Sequence, residues 1–353
     1  MFYWFYRHLD INIFQYISIR AGIGFFIAFF LTLFILPRFI KWAKSKKANQ
    51  PIYELAPDTH QLKVGTPTMG GVVFVVATII ATIFTAKLNN PYVLGGLLTI
   101  GLFSLIGIKD DISKISSNQN DQGLTPKMKL VFQAIVSLIV IGVLYYANHI
   151  TDFYIPFYKY PLFDMGYLSI IFWTLVMVAS TNAVNLTDGL DGLATVPSVI
   201  AFFTLSLIVY ITGHAIISSY LLLPNIKIVG ELSIIGASFI GALIGFLYYN
   251  SHPAEVFMGD SGSLAIGGFM GYLAIVGKSE ILLVLIGLIF VIEALSVLIQ
   301  VGSFKLRGKR VFLMAPIHHH FEQKGWHENK VIIRFWIFAF MANLIALASL
   351  KIR

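Results

Sequence analysis

The longest apolar segments of this 353-residue chain have the length of helices that cross a lipid bilayer. A spanning α-helix needs about 17–25 predominantly apolar residues, because the hydrocarbon core is about 30 Å thick. Hydrophobic residues make up 57% of the chain and charged residues only 12%, against about 45–50% and about 25% in soluble domains. Ten segments meet the length criterion: 21–40, 69–86, 92–108, 129–147, 168–187, 193–213, 231–249, 262–277, 281–301 and 331–350. The sequence therefore predicts an all-α integral membrane protein with ten transmembrane helices in a single domain, 1–353.

Composition excludes several other classes of protein. The chain has no cysteine, so disulfides and thiolate metal sites are ruled out. The first apolar segment is too long for the core of a signal peptide, and its basic cluster follows it instead of preceding it. We expect it to remain as a transmembrane helix. The net charge of +8 first suggests loops lying against anionic lipid, so no nucleic-acid partner is predicted.

Lysine and arginine are distributed unequally between the two sides of the predicted bundle. If the ten segments alternate in direction, 17 of the 25 basic residues fall on one side. Basic loops face the cytoplasm, so both termini are predicted to be periplasmic. The opposite side carries the aromatic segment 153–167, which we interpret as an interfacial loop or a short hairpin.

Five polar clusters interrupt the apolar sequence, and the predicted topology places all of them on the cytoplasmic side. They are Lys63–Gly71, Lys109–Asp111, Asn182–Gly192, Asn250–Gly262 and Pro316–Glu322. Polar residues that gather on one face of a membrane protein indicate a site, since intramembrane charge is costly without a function. We therefore expect the five clusters to form one cytoplasmic cleft.

Two adjacent carboxylates, Asp110 and Asp111, are predicted to end the third helix. Carboxylates about 5 Å apart repel by roughly 3 kcal/mol at an effective dielectric of 20. A divalent cation, a lysine or a raised pKa would relieve that repulsion. The alternative is a charged helix end that simply stops insertion.

The next acidic residues stand beside glycines. Asp188 and Asp191 would share a face if their helix continued. Gly189 and Gly192 instead indicate a broken helix whose backbone amides can approach a ligand. An ordinary Asx–Gly helix cap is the alternative there, and Asp260 could equally be the N-cap of the eighth helix.

Oxygen-rich loops without cysteine favour a hard cation, and magnesium is the usual partner of phosphate substrates. His318, His319 and His320 could suggest zinc, but adjacent histidines do not face one way. Their imidazoles could bind phosphate or relay protons, and a solvated basic loop is the alternative.

Lys63 precedes a segment rich in glycine and threonine, 65–71, which offers amides and hydroxyls to an anion. The order Gly-Lys-Ser/Thr of a Walker A loop is absent, and a plain loop entering the second helix is the alternative. Lys129 would most simply extend to lipid headgroups. Glu293 and Gln300 lie about two turns apart on one face of the ninth helix, where they line a groove or hydrogen-bond to another helix.

These motifs resemble those of the polyprenyl-phosphate N-acetylhexosamine-1-phosphate transferases. Asp110–Asp111, Asn185–Asp191 and Phe257–Asp260 match the superfamily. Gly65–Gly71 and Pro316–Glu322 are similar to its phospho-N-acetylmuramoyl-pentapeptide transferase branch. The resemblance covers essentially the whole chain, and no motif position departs from it.

The resemblance implies an enzyme of the bacterial inner membrane that acts in peptidoglycan synthesis. It would move phospho-MurNAc-pentapeptide from UDP-MurNAc-pentapeptide to undecaprenyl phosphate, giving lipid I and UMP with Mg²⁺ as cofactor. The resemblance also implies a homodimer, a cytoplasmic cleft and a groove for the polyprenyl chain.

The same resemblance assigns roles to residues. Asp260 is the expected Mg²⁺ ligand. Asp110 is the expected base for the lipid phosphate with support from Asp111, and His319 is placed with these catalytic residues. The expected substrate contacts are Lys63, Thr68, Lys129, Asn182, Asn185, Asp188, Asp191, Asn250, Phe257, Gln300, His318 and His320.

Three other functions compete with this one. A sister transferase would use UDP-GlcNAc, against which stand the three histidines and the threonine-rich segment 65–71. A transporter would place charges near the bilayer midplane and show paired interrupted helices, whereas here the acids lie at one boundary. A binding or scaffold protein has no need for so many acids in one cluster.

Overall fold

The computed structural model describes residues 1–46, 65–117 and 123–352, and nearly all of its secondary structure is helical. The helices are α1 (Phe2–Leu9), α2 (Ile17–Ser45), α3 (Gly71–Thr85), α4 (Pro91–Ser117), α5 (Pro126–Tyr146), α6 (Leu168–Thr187), α7 (Thr195–Thr212), α8 (Ala215–Tyr220), α9 (Leu232–Asn250), α10 (Asp260–Val276), α11 (Leu283–Ile286), α12 (Leu288–Arg307), α13 (Ile317–Gln323) and α14 (Glu328–Ser349). Strands β1 (Asp152–Phe153) and β2 (Phe163–Asp164) pair antiparallel. The aromatic segment after α5 is therefore a short hairpin.

Eight helices are long and apolar enough to cross a membrane: α2, α4, α5, α6, α7, α9, α12 and α14. Two further apolar helices, α3 and α10, contain 15 and 17 residues. At 1.5 Å per residue, α3 is only about 22 Å long, short of a hydrocarbon core of about 30 Å. The predicted helical architecture is confirmed for eight candidate spans, and each of the ten predicted segments contains a helix.

Two predicted boundaries were wrong. Helix α4 continues to Ser117, so Asp110 and Asp111 lie inside it instead of at its end. Both carboxylates have partners within the protein, described below, so they need no exposure to water. The ninth predicted segment is divided at Gly287 into α11 and α12. The predicted break between α6 and α7 is confirmed, with Gly192 in the left-handed region at φ 73°.

Helix α10 forms the centre of the bundle, because every residue from Asp260 to Val276 is buried. It packs against α3, α4, α6 and α7. Small residues make this close packing possible. A Cβ atom at Gly267 would overlap the backbone of Thr181 on α6, and one at Gly268 would overlap the ring of Phe103 on α4. Packing of this kind associates helices in lipid, where burial of apolar surface contributes little.

The described parts of the five polar clusters meet at one end of the bundle, as predicted. The segment 65–71 hydrogen-bonds through its backbone to the segment 257–258. Asp111 accepts hydrogen bonds from the first amides of α10. His318 lies against Gly189, in the turn after α6. The chemistry-bearing residues are thus gathered around the N-terminus of the central helix.

The other end of the bundle is held by a buried ion pair. Arg20 at the start of α2 contacts both carboxylate oxygens of Glu231, at 2.8 and 2.5 Å. The same guanidinium donates to the carbonyl oxygen of Thr85, at the end of α3. Three elements of the bundle are therefore joined by one arginine. Lys87, which is 31% exposed, approaches the same carboxylate at 3.3 Å.

A second buried pair lies at that end. Lys278 Nζ is 3.2 Å from Glu280 Oε1, and the same oxygen accepts a hydrogen bond from Trp173 Nε1 at 3.1 Å. Burial and the charge of Lys278 lower the pKa of the neighbouring His149 to about 3. His149 is therefore neutral in the folded protein. The cluster joins the C-terminal ends of α5 and α10 to the first part of α6.

We expect Glu231→Ala to destabilise the protein strongly, because Arg20 would remain buried without its carboxylate. Removing one partner of a buried ion pair costs about 3–5 kcal/mol. The thermal unfolding midpoint of the detergent-purified protein should fall clearly. Lys87→Ala removes a partly exposed partner of the same carboxylate and should cost only about 0–1 kcal/mol. Equal losses in the two variants would contradict this account.

Candidate active site

Asp260, the first residue of α10, is the most heavily contacted carboxylate of the site. Its Oδ2 atom accepts from Lys129 Nζ at 2.6 Å and from Lys114 Nζ at 3.0 Å. Its Oδ1 atom accepts from Asn185 Nδ2 at 2.7 Å. Asp260 is only 9% exposed. Two ammonium groups and an amide from three different helices therefore converge on one carboxylate.

Local sequence explains where these partners come from. The Thr125 hydroxyl accepts from the amide of Met128 and caps α5, with Pro126 in the first position. Lys129 consequently lies in the first turn of α5, facing α10. Lys114 lies in the last turn of α4, where a lysine also complements the helix dipole. Lys129 was predicted as a site residue, whereas Lys114 was missed.

Lys114 also joins Asp260 to Asp110. Its Nζ atom lies 2.7 Å from Asp110 Oδ2, one helical turn earlier. Lys129 is 3.7 Å from the same oxygen, and the amide of Leu124 donates to the other oxygen at 2.6 Å. Asp110 is only 2% exposed. The spacing of four residues between Asp110 and Lys114 was the signal that could have identified the lysine.

Unlike Asp110, which lies beside two lysine side chains, Asp111 binds the backbone of α10. Its two carboxylate oxygens accept from the amides of Asp260 and Ser261, at 3.0 and 2.9 Å. The N-cap position itself is Gly259, which has no side chain to satisfy these amides. Asp111 thus supplies, from α4, the cap that α10 lacks. Asp260 is not the N-cap, which was the alternative considered from sequence.

A cavity of about 170 Å³ opens beside this network. The side chains around it come from α4, α6, α10 and the segment before α3: Thr68, Asp111, Lys114, Ile115, Asn185, Asp188 and Asp260, together with Gly259. The segment before α3 is held in place by backbone bonds, from Phe257 N to Pro67 O at 2.8 Å and from Gly70 N to Phe257 O at 2.9 Å. Thr68 therefore lines the cavity, and its predicted contact with substrate stays a prediction. Lys63 lies outside the described residues.

A second polar cluster surrounds Asp191, which lies in the turn between α6 and α7. Asp191 Oδ2 accepts from the amide of Ala254 at 3.0 Å and lies 3.0 Å from His252 Nδ1. The Glu328 carboxylate accepts from the amide of Asp191 at 3.1 Å. Ligand atoms of Asp191, His252 and Glu328 lie within 4.8 Å of one another, close enough to hold a metal ion. His252 and Glu328 were not predicted as site residues. His252 lies within the predicted cluster Asn250–Gly262, whereas Glu328 lies outside all five clusters.

The three histidines of α13 face three different partners. His318 Nδ1 lies 3.1 Å from a carboxylate oxygen of Glu293 on α12. His319 Nδ1 lies 2.7 Å from Glu322 Oε2 on the same helix. His320 Nδ1 accepts from the amide of Leu313 at 3.1 Å. The expectation that adjacent histidines do not share one direction is confirmed.

Three residues predicted to contact substrate hydrogen-bond to other parts of the protein. Asn182 donates to Gln133 Oε1 on α5 and to the carbonyl of Val178. Asn250 accepts from Thr195 Oγ1 and donates to the carbonyl of Val256, which shapes the loop before α10. Gln300 binds the backbone of 311–312 through both ends of its amide. Phe257 contributes through the backbone bonds described above.

Comparison with known proteins decides the family. Residues 93–278 match Glycosyl transferase family 4, and residues 63–75 match the first signature of the phospho-N-acetylmuramoyl-pentapeptide transferases. Proteins of that name from Aliarcobacter butzleri, Nitratiruptor sp. and Sulfurimonas denitrificans are 68%, 63% and 61% identical to this chain, each over 100% of both chains. The chain belongs to the phospho-N-acetylmuramoyl-pentapeptide transferases. The resemblance expected from its motifs is therefore confirmed.

The matched ranges contain the carboxylates that meet at the N-terminus of α10. The transferase signature includes Lys63 and Thr68, and the larger match includes Asp110, Asp111 and Asp260. The cavity described above is thus built from both matched regions. The triple-histidine helix lies outside both ranges and joins the site only through tertiary contacts.

Asp188 has the most perturbed acidity outside the spanning helices. It lies in the turn after α6 and lines the cavity. Enclosure by the surrounding protein and, to a smaller extent, the negative charges of Asp260, Asp111 and Asp191 together raise the pKa of its carboxyl group to about 8. At neutral pH Asp188 therefore favours the protonated form, unless a cation enters the cavity beside it.

The donor atoms around the cavity suit a hard cation. They are carboxylate oxygens of Asp111, Asp188 and Asp260, the amide group of Asn185 and the hydroxyl of Thr68. Magnesium prefers such oxygen ligands and is usually held by one or two carboxylates together with substrate phosphates. The residues present therefore fit the Mg²⁺ that the resemblance implies.

We expect Gly107→Ala to displace Asp260 and lower activity by about 100-fold, the cost of misplacing a reacting group by roughly 1 Å. A Cβ atom at Gly107 would overlap the backbone carbonyl of Asp260. Gly101→Ala is the matched control, because it lies on the same helix with nothing within 4 Å of the added Cβ. Steady-state rates and thermal midpoints of both variants test this. A fully active Gly107→Ala enzyme would contradict the close packing.

We also expect the metal-free protein to lose stability as pH rises from about 4 to about 8. The unfolded chain loses the Asp188 proton near its usual pKa of about 3.9, whereas the folded chain keeps it until about pH 8. The free energy of unfolding therefore falls across that window. Asp188→Asn should flatten this dependence in thermal melts with a chelator, while Asp10→Asn, far from the site, should not. Identical pH slopes in wild type and Asp188→Asn would exclude the assignment.

Proposed function

We propose that this chain transfers phospho-MurNAc-pentapeptide from UDP-MurNAc-pentapeptide to undecaprenyl phosphate in peptidoglycan synthesis. The P–O bond between the two phosphates of UDP breaks, and a new P–O bond forms between the sugar-bearing phosphorus and the acceptor phosphate. UMP leaves and lipid I is formed. The observation that carries the proposal is Asp260, held by Lys114 and Lys129 beside an oxygen-lined cavity, in a chain of the transferase family.

Phosphoryl transfer needs mainly positioning and compensation of negative charge. The ammonium groups of Lys114 and Lys129 neutralise Asp260 and Asp110 in this structure. Phosphate oxygens are equivalent acceptors for these ammonium groups, so the donor diphosphate would replace the carboxylates as their partner. Asp260 would then be free to hold Mg²⁺, which when bound neutralises charge on the transferred phosphoryl group.

In the proposed reaction Asp110 is the base for the acceptor phosphate, provided that Lys114 first moves away from it. A base must come within hydrogen-bond reach of the proton that it removes. Lys114 now covers one oxygen of Asp110, and Leu124 N binds the other. Asp110 would reach an acceptor only after Lys114 turns towards the donor. In the described arrangement Asp110 orients Lys114, and Asp111 supports the site through the backbone of α10.

An apolar cavity of about 250 Å³ supports the lipid acceptor. It lies between α6, α10, α11 and α12, and nearly all of its lining is apolar, including Ala183, Val184, Met270 and Leu295. Ala183 and Val184 immediately precede Asn185, which binds Asp260. A polyprenyl chain lying there would bring its phosphate to the end of α6. We assign this cavity as the polyprenyl groove that the resemblance implies.

The chemistry also supports an orientation in the bacterial inner membrane. Nucleotide-linked donors are soluble, charged molecules of the cytoplasm, so the end that carries Asp260 would face the cytoplasm. With α3 and α10 counted, ten helices would cross the bilayer and both termini would be periplasmic. The excess of basic residues on the side of Asp260 supports the same orientation. The homodimer implied by the resemblance completes the proposal and is tested by the mass of the purified protein.

We expect the purified protein to release UMP from UDP-MurNAc-pentapeptide only when polyprenyl phosphate and Mg²⁺ are both present. Asp260→Asn should lower this rate by more than about 100-fold, since even outer partners of a metal ligand cost about 10–100-fold when removed. Asp10→Asn is the matched control, because Asp10 is exposed and follows α1 at the other end. Full activity of Asp260→Asn would refute the metal assignment.

The same assay separates the competing functions. UDP-GlcNAc replaces UDP-MurNAc-pentapeptide in a parallel reaction, and UMP release from it at an equal or higher rate would favour the sister transferase. Loss of turnover on adding a chelator, restored by Mg²⁺, would support the cofactor. Capture of a phosphorylated Asp260 would show that the reaction proceeds in two steps.

A further inference from the structure

One buried pair of ionisable side chains is not used by the chemistry described above. Glu293 lies in α12 and His318 in the first turn of α13, and their exposed fractions are 0% and 1%. Glu293 Oε2 lies 3.1 Å from His318 Nδ1. Within the described residues, neither the carboxylate oxygens of Glu293 nor the ring nitrogens of His318 make a hydrogen bond, the pair itself included. The two groups therefore meet as a close polar contact between buried side chains that is not a hydrogen bond.

A glutamate at this position is not explained by packing. Glu293 lies on an apolar helix that is long enough to span a membrane. Burying a carboxylate is costly unless a positive or hydrogen-bonding partner is provided, and an apolar side chain would fill the same space without that cost. An ionisable residue inside a membrane helix is a functional candidate together with its partner, and that partner here is His318.

The opposite side of the His318 ring faces the active site. A Cβ atom at Gly189 would overlap His318 Nε2 and Cε1, so only glycine permits this approach. Gly189 directly follows Asp188, whose side chain lines the oxygen-rich cavity. The imidazole is thus enclosed between a carboxylate at Nδ1 and the Asp188–Gly189 turn at Nε2. A carboxylate this close to one ring nitrogen favours the ring orientation that keeps that nitrogen facing it.

Helix α12 contacts the segment of residues 311–318 at two points. Gln300, two turns beyond Glu293, binds the backbone of residues 311 and 312. Glu293 then contacts His318 at the far end of the same segment. The two neighbouring histidines have partners within their own segment, Glu322 and the amide of Leu313. His318 is therefore a histidine of α13 that contacts a carboxylate on another helix.

We infer that Glu293 is a positioning residue that orients His318 against the Asp188–Gly189 turn of the substrate site. Its carboxylate lies 3.1 Å from Nδ1 and keeps the opposite edge of the ring, with Nε2, packed against that turn. Nε2 is buried there, so the ring acts on a phosphate or sugar group in the adjacent cavity by setting the position of the turn. The inference rests on the proposed function for the identity of that substrate, whereas the pairing of Glu293 with His318 stands on geometry alone.

The kinetic test uses Glu293→Gln, which keeps the size of the side chain, and Glu293→Ala. Both should lower kcat by about 10–100-fold, the usual effect of removing an orienting partner, with a smaller change in KM, and Glu293→Gln should keep the thermal midpoint of the wild type. Glu293→Asp, which keeps a carboxylate, should recover part of the rate. Ser296→Ala is the matched control, since its hydroxyl bonds only to the backbone of the same helix. Wild-type kcat in Glu293→Gln would overturn the inference.

A double-mutant cycle separates positioning from a general structural role. If Glu293 acts only through His318, then Glu293→Ala should add no further loss to His318→Ala. Losses that multiply would show that Glu293 acts independently of the histidine and would overturn the inference.

Nitrogen-15 NMR of histidine-labelled protein gives a readout that does not depend on turnover. The ring resonances of His318, assigned by their absence in His318→Asn, should shift in Glu293→Gln and stay unchanged in Ser296→Ala. Unchanged resonances in Glu293→Gln would refute the positioning role. A protein that shows the shift but releases no UMP would instead refute the proposed function and leave the Glu293–His318 pairing intact.

Discussion

The site depends on one interaction, the capping of α10 by Asp111. A helix that is buried along its whole length exposes no amides to water, so the free amides at its N-terminus need partners within the protein. Gly259 has no side chain that could accept from the first two amides, and Asp111 provides these acceptors from α4. This contact fixes α4 against α10, which in turn places Asp260 within reach of Lys114 on the same α4. Glycine at position 107 is the steric counterpart, because any larger residue would separate the two helices.

Once α10 is placed, the charges around it compensate one another. Asp110, Lys114, Lys129 and Asp260 form a closed network of two carboxylates and two ammonium groups. That balance allows α4 to continue past two adjacent acids, which sequence alone suggested should end it. It also explains how a cluster with so many acids can exist at the end of an apolar bundle. Entry of a cation and a diphosphate would exchange partners within the network instead of creating unpaired charge.

Local patterns predicted much of this molecule, and contacts between distant segments account for what was missed. The apolar segments, the break around Gly192 and the meeting of the motifs at one end all follow from hydropathy, glycine placement and charge distribution. Lys114 was within reach of sequence reasoning, four residues after Asp110. His252 and Glu328 were not, because their contact with Asp191 joins segments that no sequence spacing relates. Glu293 and Gln300 were correctly placed on one face, but their partners on the 311–320 segment are defined only by the packing of α12.

The two ends of the bundle show what separates a structural polar cluster from a functional one. At the end of Arg20 and Glu231, a guanidinium meets a carboxylate with both oxygens. Exchange with a ligand there would leave a buried charge unpaired. At the other end Asp260 is bound by flexible lysines beside an oxygen-lined cavity, so its partners can be replaced by ions of the same sign. Glu293 and His318 combine both properties, since the pair is fully buried and its imidazole packs against the turn that carries Asp188. A side chain held on one side by a carboxylate and packed on the other side against the site is the arrangement that an orienting residue requires.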